Sequence, residues 1–328
     1  MRLVWSAPVV MVVVAGAVVG VPGAQAASGG RVVGDGTAGS CTSEAVVAAV
    51  ARGGRITFSC GPRPVTIVMK QTAKVRNTSS RVVIDGGGKV TLSGAGVRRI
   101  LYMNTCDKSL TWTTSHCNDQ ATPHLTVQNI AFTRGNATGQ RKDGGGGGAI
   151  FVRGGRFNVV NSRFTNNRCD PTGPDLGGAA IRVLDQYRDR PVSIVKGVFS
   201  GGVCANGGAL SGLHVSFLIQ NSVMTGNRAI GYGANPAQRG TPGGGSGGAI
   251  YTDGDRFTVR LVNTRVENNS AKEGGGAIFF VSNDRTGTLS IERSTLRRNR
   301  SARFETTGYP GIFFLGAGKP KVISSTIR

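Results

Sequence analysis

The fold is decided by residues 247–279, which read GGAIYTDGDRFTVRLVNTRVENNSAKEGGGAIF. The stretch holds two copies of the motif Gly-Gly-Ala-Ile, at 247–250 and 275–278, so the motif returns after 28 residues. Between them lies a second phrase, 261–269, in which apolar residues surround Asn263. A unit that returns at about 20 to 50 residues is typical of a solenoid, in which each coil repeats one supersecondary unit.

Related copies of both phrases run through most of the chain. The aliphatic residue that ends the first phrase recurs at separations of 31, 29, 40, 28 and 34 residues, as Ile150, Ile181, Leu210, Ile250, Ile278 and Ile312. The central position of the second phrase is filled by Asn129, Asn161, Lys196, Asn221, Asn263, Arg293 and Ser324. Asn suits a repeated bend because it tolerates the left-handed backbone conformation and its amide can bond the Asn of the next coil.

These repeats predict an all-β fold, a right-handed parallel β-helix with a short N-terminal capping helix. Equivalent strands of successive coils would stack about 4.8 Å apart, in about seven or eight coils. Ile150, Ile181, Leu210, Ile250 and Ile278 should then form one interior column. The competing solenoid, the leucine-rich repeat, lacks its Leu-x-x-Leu-x-Leu phrase here.

Composition agrees with this architecture and indicates an exported, basic protein. The 328 residues include 52 glycines, which would cost helices roughly 1 kcal/mol at each interior site. Residues 1–26, with Arg2, an apolar run and a small-residue site ending at Ala26, indicate a secretory signal peptide. Residues 27–328 would form one domain, with the capping helix at about 42–52 and coils at about 55–328. No later stretch is apolar and long enough to span a membrane.

The cysteines support the same compartment. An even number of cysteines in an exported chain predicts disulfides, here three. Sequential pairing is the hypothesis, although fifteen connectivities are open. The pairs would be Cys41 with Cys60, Cys106 with Cys117 and Cys169 with Cys204.

One outward face carries the candidate binding residues. Strand alternation points the aliphatic residues inward, so their neighbours should form an outer ladder of Tyr102, Phe151, Arg182, Ser211, Tyr251, Phe279 and Phe313. Long loops at 133–146, 169–176 and 228–246 rise beside it. Two interpretations are open: the loops cover the rings, or the rings line a groove for a linear polymer. In the groove, Tyr251, Phe279, Phe151, Arg153, Asp284 and Arg285 would bind substrate.

Carboxylates near this face are the candidate catalytic groups. Asp253 and Asp255 end one Ala-Ile strand, Glu273 precedes the next, and Arg182 lies on the same outer ladder, two repeats before Tyr251. Two acids in one cleft can act as acid and base in glycoside cleavage. Acids with Arg could instead bind Ca²⁺ and remove a proton beside a uronate carboxylate. The alternative is turn chemistry, since Asp-Gly is a standard turn signal.

The alternation of Gly-Gly-Ala-Ile with Phe-x-x-Asn, as in 164–167 and its relatives, resembles the repeats of polymorphic outer membrane proteins. More broadly, the chain is similar to the pectin-lyase-like right-handed β-helix superfamily. This resemblance implies the fold but little of the function, because the superfamily holds lyases, hydrolases, epimerases and adhesins. The Asn-Thr-Asp, Asp-Asp and Gly-His-Gly phrases of polygalacturonase-like hydrolases are missing, so no catalytic residue is carried over.

The excess of 39 Lys and Arg over 17 Asp and Glu, a formal net charge of +22, favours an anionic partner. We therefore expect a secreted monomer that binds an extracellular, acidic polysaccharide or another polyanion and that could also cleave it, as a lyase or glycoside hydrolase. The alternative is a non-catalytic, adhesin-like surface-binding protein. Nucleic acid ranks lower, since no recognised nucleic-acid-binding module occurs.

Overall fold

Parallel strands account for nearly all regular structure in residues 30–233 and 240–328, the parts of the chain that the computed structural model describes. The predicted signal peptide at 1–26 and part of the loop at 228–246 lie outside these residues. The described strands form three parallel sheets, stacked coil upon coil. The all-β parallel β-helix is thus confirmed, and its right-handedness stays a prediction.

The first sheet, here called the Ala-Ile sheet, contains the strand that follows each Gly-Gly-Ala motif. Its eight strands within the described residues are Ala73–Lys74, Leu101–Asn104, Ile150–Arg153, Ile181–Leu184, Leu210–Leu213, Ile250–Gly254, Ile278–Ser282 and Ile312–Leu315. The aliphatic residues pair in direct register from Ile150 to Ile312. All are fully buried, so the predicted interior column is confirmed. Burying each such side chain contributes about 1.5–3 kcal/mol.

Most coils contribute two strands to the second sheet, here called the long sheet. The predicted bend residue lies between these two strands. The seventeen strands of this sheet in the described chain are Arg31–Val33, Gly54–Phe58, Val65–Val68, Arg81–Ser93, His124–Thr133, Arg156–Val160, Arg163–Thr165, Val192–Val195, Val198–Ser200, Phe217–Gln220, Val223–Thr225, Thr258–Val262, Arg265–Glu267, Thr288–Glu292, Thr295–Arg297, Lys321–Ile323 and Thr326–Ile327. All seven predicted bend residues have φ between 44° and 55°. The Asn161 amide donates to the Asn129 Oδ1 at 2.9 Å, and Asn263 donates to Asn221 at 2.6 Å. This ladder is largely exposed.

A second, buried Asn ladder follows the long sheet. The amide of Asn227 donates to Asn269 and that of Asn269 donates to Asn299, both at 2.9 Å. The chain then enters the short sheet, whose strands in the described residues are Val203–Cys204, Arg228–Ala229, Ser270–Ala271 and Arg300–Ser301. The ladder therefore satisfies polar groups where each coil turns away from the long sheet.

A helix at Ser43–Arg52 covers the N-terminal end, as the sequence predicts. The hydroxyl of Thr42 accepts from the Ala45 amide at 3.2 Å and caps the helix. Gly53, at φ 69°, ends it. Val46, Ala49 and Val50 bury the apolar side of the helix against the core. Three 3-10 turns, Ala38–Ser40, Cys117–Asp119 and Tyr187–Asp189, complete the helical structure of the described chain.

Three disulfides join the pairs that the sequence predicts. They are Cys41–Cys60, Cys106–Cys117 and Cys169–Cys204. The last pair lies on consecutive coils, in a small buried cluster with Ala137 and Ala179. Disulfides of this kind persist in oxidising compartments, so they fit a protein outside the cytosol.

The backbone conformation explains why the first residue of the Gly-Gly-Ala-Ile motif is glycine. Gly247 has φ 71°, a left-handed conformation that L side chains rarely adopt. A Cβ there would overlap the carbonyl oxygen of Ile250, the aliphatic residue three positions later. The glycine therefore permits the tight turn that delivers the aliphatic side chain into the core.

Candidate functional site

The predicted outer ladder exists, and most of it is covered. Lys74, Tyr102, Phe151, Arg182, Ser211, Tyr251, Phe279 and Phe313 pair in register along the outer side of the Ala-Ile sheet. Rings stack where they are adjacent, with 5.3 Å between the centroids of Tyr102 and Phe151 and 5.1 Å between those of Tyr251 and Phe279.

Burial distinguishes the two interpretations of this ladder. Phe151, Phe279 and Tyr251 are 0, 1 and 3% exposed, so their rings do not line an open groove. The covering groups include the guanidinium of Arg99, 4.9 Å from the Phe151 centroid, and the ring of Phe304, which meets Phe279 edge-on. The described structure therefore has the loop-covered arrangement over this part of the ladder.

Three of the predicted site residues, Tyr251, Asp253 and Arg182, lie in one part of the ladder. The hydroxyl of Tyr251 is at its centre. This hydroxyl lies 3.2 Å from the Asp253 Oδ2 and 3.3 Å from an oxygen of Asp175, a residue of the 169–176 loop. Arg182 is buried two coils earlier and donates to the Ser211 hydroxyl at 2.5 Å. Its Nε has no hydrogen-bond partner among the described residues. We call Arg182, Ser211, Tyr251, Asp253 and Asp175 the Tyr251 cluster.

Burial shifts the titration of this cluster toward its uncharged forms. It lowers the pKa of Arg182 to about 10 and raises that of Tyr251 well above its usual value. It also raises the pKa of Asp253, which is half-buried. Because the hydroxyl has one proton and two carboxylate neighbours, only one of them can accept it at a time. The arrangement can therefore hold and share a proton between two carboxylates.

Glu273 does not join that cluster. Its buried carboxylate accepts from the Gly233 amide at 2.9 Å and pairs with Arg303 at 3.3 Å. These contacts join the 228–246 loop to the segment that follows the short sheet. The role that this geometry supports is to anchor the loops over the ladder.

The remaining predicted residues lie in turns or at the edge of the face. Asp255 is exposed, and Asp284 accepts from the Thr286 amide and hydroxyl at 3.0 and 2.8 Å, which lowers the pKa of Asp284. Arg285 follows in a left-handed turn at φ 62°. Arg153 donates to the side-chain oxygen of Asn118 at 2.8 Å, one residue after the loop that the second disulfide closes.

The N-terminal end of the ladder borders open space, although the Tyr102 side chain itself is only 3% exposed, as Tyr251 is. A cavity of about 620 Å³ lies there, bordered by the exposed Lys74, Lys108 and Lys142 and by Asp107 and Asp143. Buried Arg99 lies at its base. We call this space the Tyr102 cavity. Its volume falls within the range of about 300–1,000 Å³ that small-molecule sites have.

The base of the cavity is a fixed polar network. The Tyr102 hydroxyl lies 2.9 Å from Asp143 and 3.3 Å from Asp107, and it accepts from the Asn104 amide at 2.8 Å. Arg99 donates to the carbonyls of Gly146 and Gly147 at 2.8 and 3.1 Å. Burial lowers the pKa of Arg99 to about 10 and raises that of Tyr102, whereas bonds from Ser109 keep the pKa of Asp107 low despite partial burial.

The Tyr102 cavity and the Tyr251 cluster share one design, a ladder tyrosine between two carboxylates near a buried arginine. Sequence reasoning placed Tyr102 on the ladder but missed Arg99, Asp107 and Asp143. Asp107 and Asp143 lie in irregular loops, where no period positions them. The sequence signal that could have indicated this cavity was Lys74, a cation that lies on the same ladder one coil before Tyr102.

A metal-binding cluster and a membrane-spanning helix are both absent from the residues that the structure describes. No group of three or more His, Cys, Asp or Glu side chains there is placed to hold a metal ion, so we assign no Ca²⁺ site. No helix there has the length and apolar character needed to cross a membrane.

One comparison with known protein families finds a match in this chain. The Chlamydia polymorphic membrane protein repeat matches residues 263–281. The match runs from Asn263, the central residue of one Asn phrase, through the Gly-Gly-Ala-Ile motif at 275–278 and into the strand Ile278–Ser282, and so supports the predicted likeness to that repeat. No curated protein and no solved structure matches the chain. The wider resemblance to the pectin-lyase-like superfamily stays a prediction.

Proposed function

We propose that this protein is exported and binds an acidic polysaccharide outside the cell, with a charged sugar in the Tyr102 cavity. The observation that carries the proposal is the lining of that cavity. Lys74, Lys108 and Lys142 surround the opening, and Arg99 adds a fourth cation at its base, against the two carboxylates Asp107 and Asp143. Cations in a partly enclosed space attract and orient a carboxylate-bearing ligand.

Four further observations support the proposal. The charge of +22 attracts polyanions over distance. The disulfides fit an oxidising compartment, and the matched repeat is named for a membrane protein of Chlamydia. The exposed position of the three lysines leaves them accessible to a large polymer.

The test replaces Lys74, Lys108 and Lys142 by Gln and measures binding of polygalacturonate by calorimetry. Exposed charge contacts contribute about 0.2–1 kcal/mol each, so the triple variant should bind about tenfold more weakly. The matched control replaces the exposed Lys272, Lys319 and Lys321 by Gln, with the same change in net charge. Equal affinities of the two variants would show that the cavity is not the binding site.

Cleavage of the bound polymer is a second candidate, favoured by the two carboxylates that share the Tyr102 hydroxyl. A tyrosine and a carboxylate within hydrogen-bond distance can move a proton to or from a bound sugar. The assay incubates the protein with acidic and neutral glycans and follows unsaturated products and reducing ends. Tyr102→Phe should remove product formation and retain binding. Binding without any product would leave the adhesin-like alternative.

A further inference from the structure

We propose a second glycan-binding site, in a recess at the bend of the long sheet, which takes a carboxylate or sulfate group of an acidic polysaccharide. The cations of this bend recess are Lys89, Arg163 and Lys196. Together with the Tyr102 cavity it would make the protein bivalent, able to join two polymer chains. That bivalence rests on the proposed function, whereas the recess itself does not.

The recess is uniformly cationic. It has a volume of about 250 Å³, and its lining contains three cationic side chains and no carboxylate. All three cations are exposed, and no ion pair engages them in the described chain. Asp85 touches the lining only through the Asn129 amide, and its charge is already balanced by Arg55 at 2.6 Å. An anion entering here would therefore meet unpaired positive charge.

Lys196 is the residue that points to a ligand. It occupies the bend position at φ 55°, where Asn would be favoured and where a lysine costs about 1–2 kcal/mol. It also interrupts the exposed ladder, because Asn161 lies one coil before it and Asn221 one coil after it. Arg293 carries the same cost at an equivalent bend outside the recess, so Lys196 marks a site because it also lies beside Lys89 and Arg163.

The neighbouring surface favours a polymer over a single small anion. A second recess of about 350 Å³ shares Lys89 and Val90 with the first and adds Arg63. The two recesses flank the glycines of the Arg81–Ser93 strand, so the cationic surface continues across several coils. The bend recess has no aromatic side chain in its lining, and single-stranded nucleic acids are held by stacking on such rings. These features favour a charged glycan.

The two sites lie on different faces of the molecule. Tyr102 points outward from the Ala-Ile sheet, whereas Asn129, Asn161 and Lys196 lie at the bend of the long sheet. The core contains the inward residues of both sheets and separates them. One polymer chain could therefore occupy each face at the same time.

The experiment compares three forms of the whole protein. The bend variant carries Lys89→Gln, Arg163→Gln and Lys196→Asn, and the cavity variant carries the three lysine changes described above. Each form is titrated into polygalacturonate and, separately, dextran sulfate, uncharged dextran and single-stranded DNA, with calorimetry for stoichiometry and light scattering for cross-linking.

For polygalacturonate or dextran sulfate, we expect wild type to show two classes of site and strong scattering. In the bend variant, the affinity of one class of site should fall about tenfold, and the strong scattering should disappear. Unchanged stoichiometry and scattering in the bend variant would overturn the inference, and so would DNA binding as tight as glycan binding. If the cavity variant binds with the affinity and stoichiometry of wild type while the bend variant loses a class of site, the proposed function fails and the bend site stands.

A matched pair of single substitutions separates ligand binding from folding. Lys196→Asn should weaken glycan binding three- to fivefold and raise the melting temperature, because Asn suits the bend and restores the ladder. Arg293→Asn makes the same change at the equivalent bend outside the recess. It should leave glycan binding within twofold of wild type. Equal losses of affinity in both variants would refute a specific recess.

Discussion

Replacing Arg182 by Met should stabilise this protein, although Arg182 is a fully buried residue. Burial lowers the pKa of this guanidinium well below its usual value, to about 10, so the group stays charged at pH 7 and burying it in that form costs free energy of folding. At 1.36 kcal/mol per pKa unit the cost is about 3 kcal/mol. Attraction by Tyr251, Asp175 and Asp253 is already contained in that pKa.

Among the described residues, the bond to Ser211 is the only side-chain hydrogen bond of Arg182, and losing it costs about 1 kcal/mol. The Nε loses nothing, since it has no partner among the described residues. The net gain in the free energy of unfolding is therefore about 2 kcal/mol, or roughly 4 °C in melting temperature for a domain of this size. Removing one partner of a buried ion pair destabilises a protein, but no carboxylate of the described residues forms an ion pair with Arg182, so the substitution leaves no charge without its partner.

Arg99→Met is the matched comparison and should have the opposite sign. The pKa of Arg99 is also lowered to about 10, yet its guanidinium satisfies the carbonyls of Gly146 and Gly147 and lies over the Phe151 ring. Leaving two buried carbonyls unpaired costs about 1–3 kcal/mol each, and the lost cation–π contact adds about 1–2 kcal/mol. We expect a net loss of about 1–3 kcal/mol.

Thermal and urea unfolding at pH 7, followed by circular dichroism, would measure both changes. The reasoning is refuted if Arg182→Met melts below wild type or below Arg99→Met. That result would mean that the attraction of the Tyr251 cluster outweighs the burial of the guanidinium.

Two further predictions concern the ladder and the candidate acid. Asn269→Ala should lower the free energy of unfolding by about 2–4 kcal/mol, because buried groups of Asn227 and Met224 lose their partner, whereas Asn263→Ala on the exposed ladder should cost under about 1 kcal/mol. Similar urea midpoints for the two would contradict this. The raised pKa of Asp253 favours its protonated form, so that contribution to stability is present below pH 3.8 and is lost as pH rises through the folded pKa. Asp253→Asn should therefore raise the melting temperature at pH 7 and leave it unchanged near pH 3; a lower melting temperature at pH 7 would argue against it.

Predictions that depended on the repeat were confirmed. The column from Ile150 to Ile278 and the left-handed bends follow from spacing and local conformational preference. The three disulfides match the sequential pairing, which was one hypothesis among fifteen open connectivities. Each coil imposes the same register on the next, so one correctly identified strand fixes its equivalents. The helix at Ser43–Arg52 likewise follows from its cap and its Gly53 stop.

The candidate sites were predictable only in part. Tyr251, Asp253 and Arg182 were expected near one another because ladder positions are periodic. Asp175 could not be expected, because it lies in a loop whose length has no counterpart in neighbouring coils. Glu273 was expected beside Asp253, and its carboxylate contacts Gly233 and Arg303 instead. Loop residues have no register with the strands, so sequence distance does not predict their contacts.

The sequence by itself determined which side chains point inward and which form ladders, because strand alternation and a positive-φ bend are local properties repeated at every coil. Only the tertiary structure decided which part of the ladder borders an open cavity, because Tyr102 and Tyr251 are equally buried, at 3% exposed. Tyr102 and Tyr251 occupy the same ladder and both touch two carboxylates, yet a cavity of about 620 Å³ opens beside the first. The difference arises because irregular loops of unequal length fold over one coil and leave space beside another, and that outcome depends on packing between distant segments.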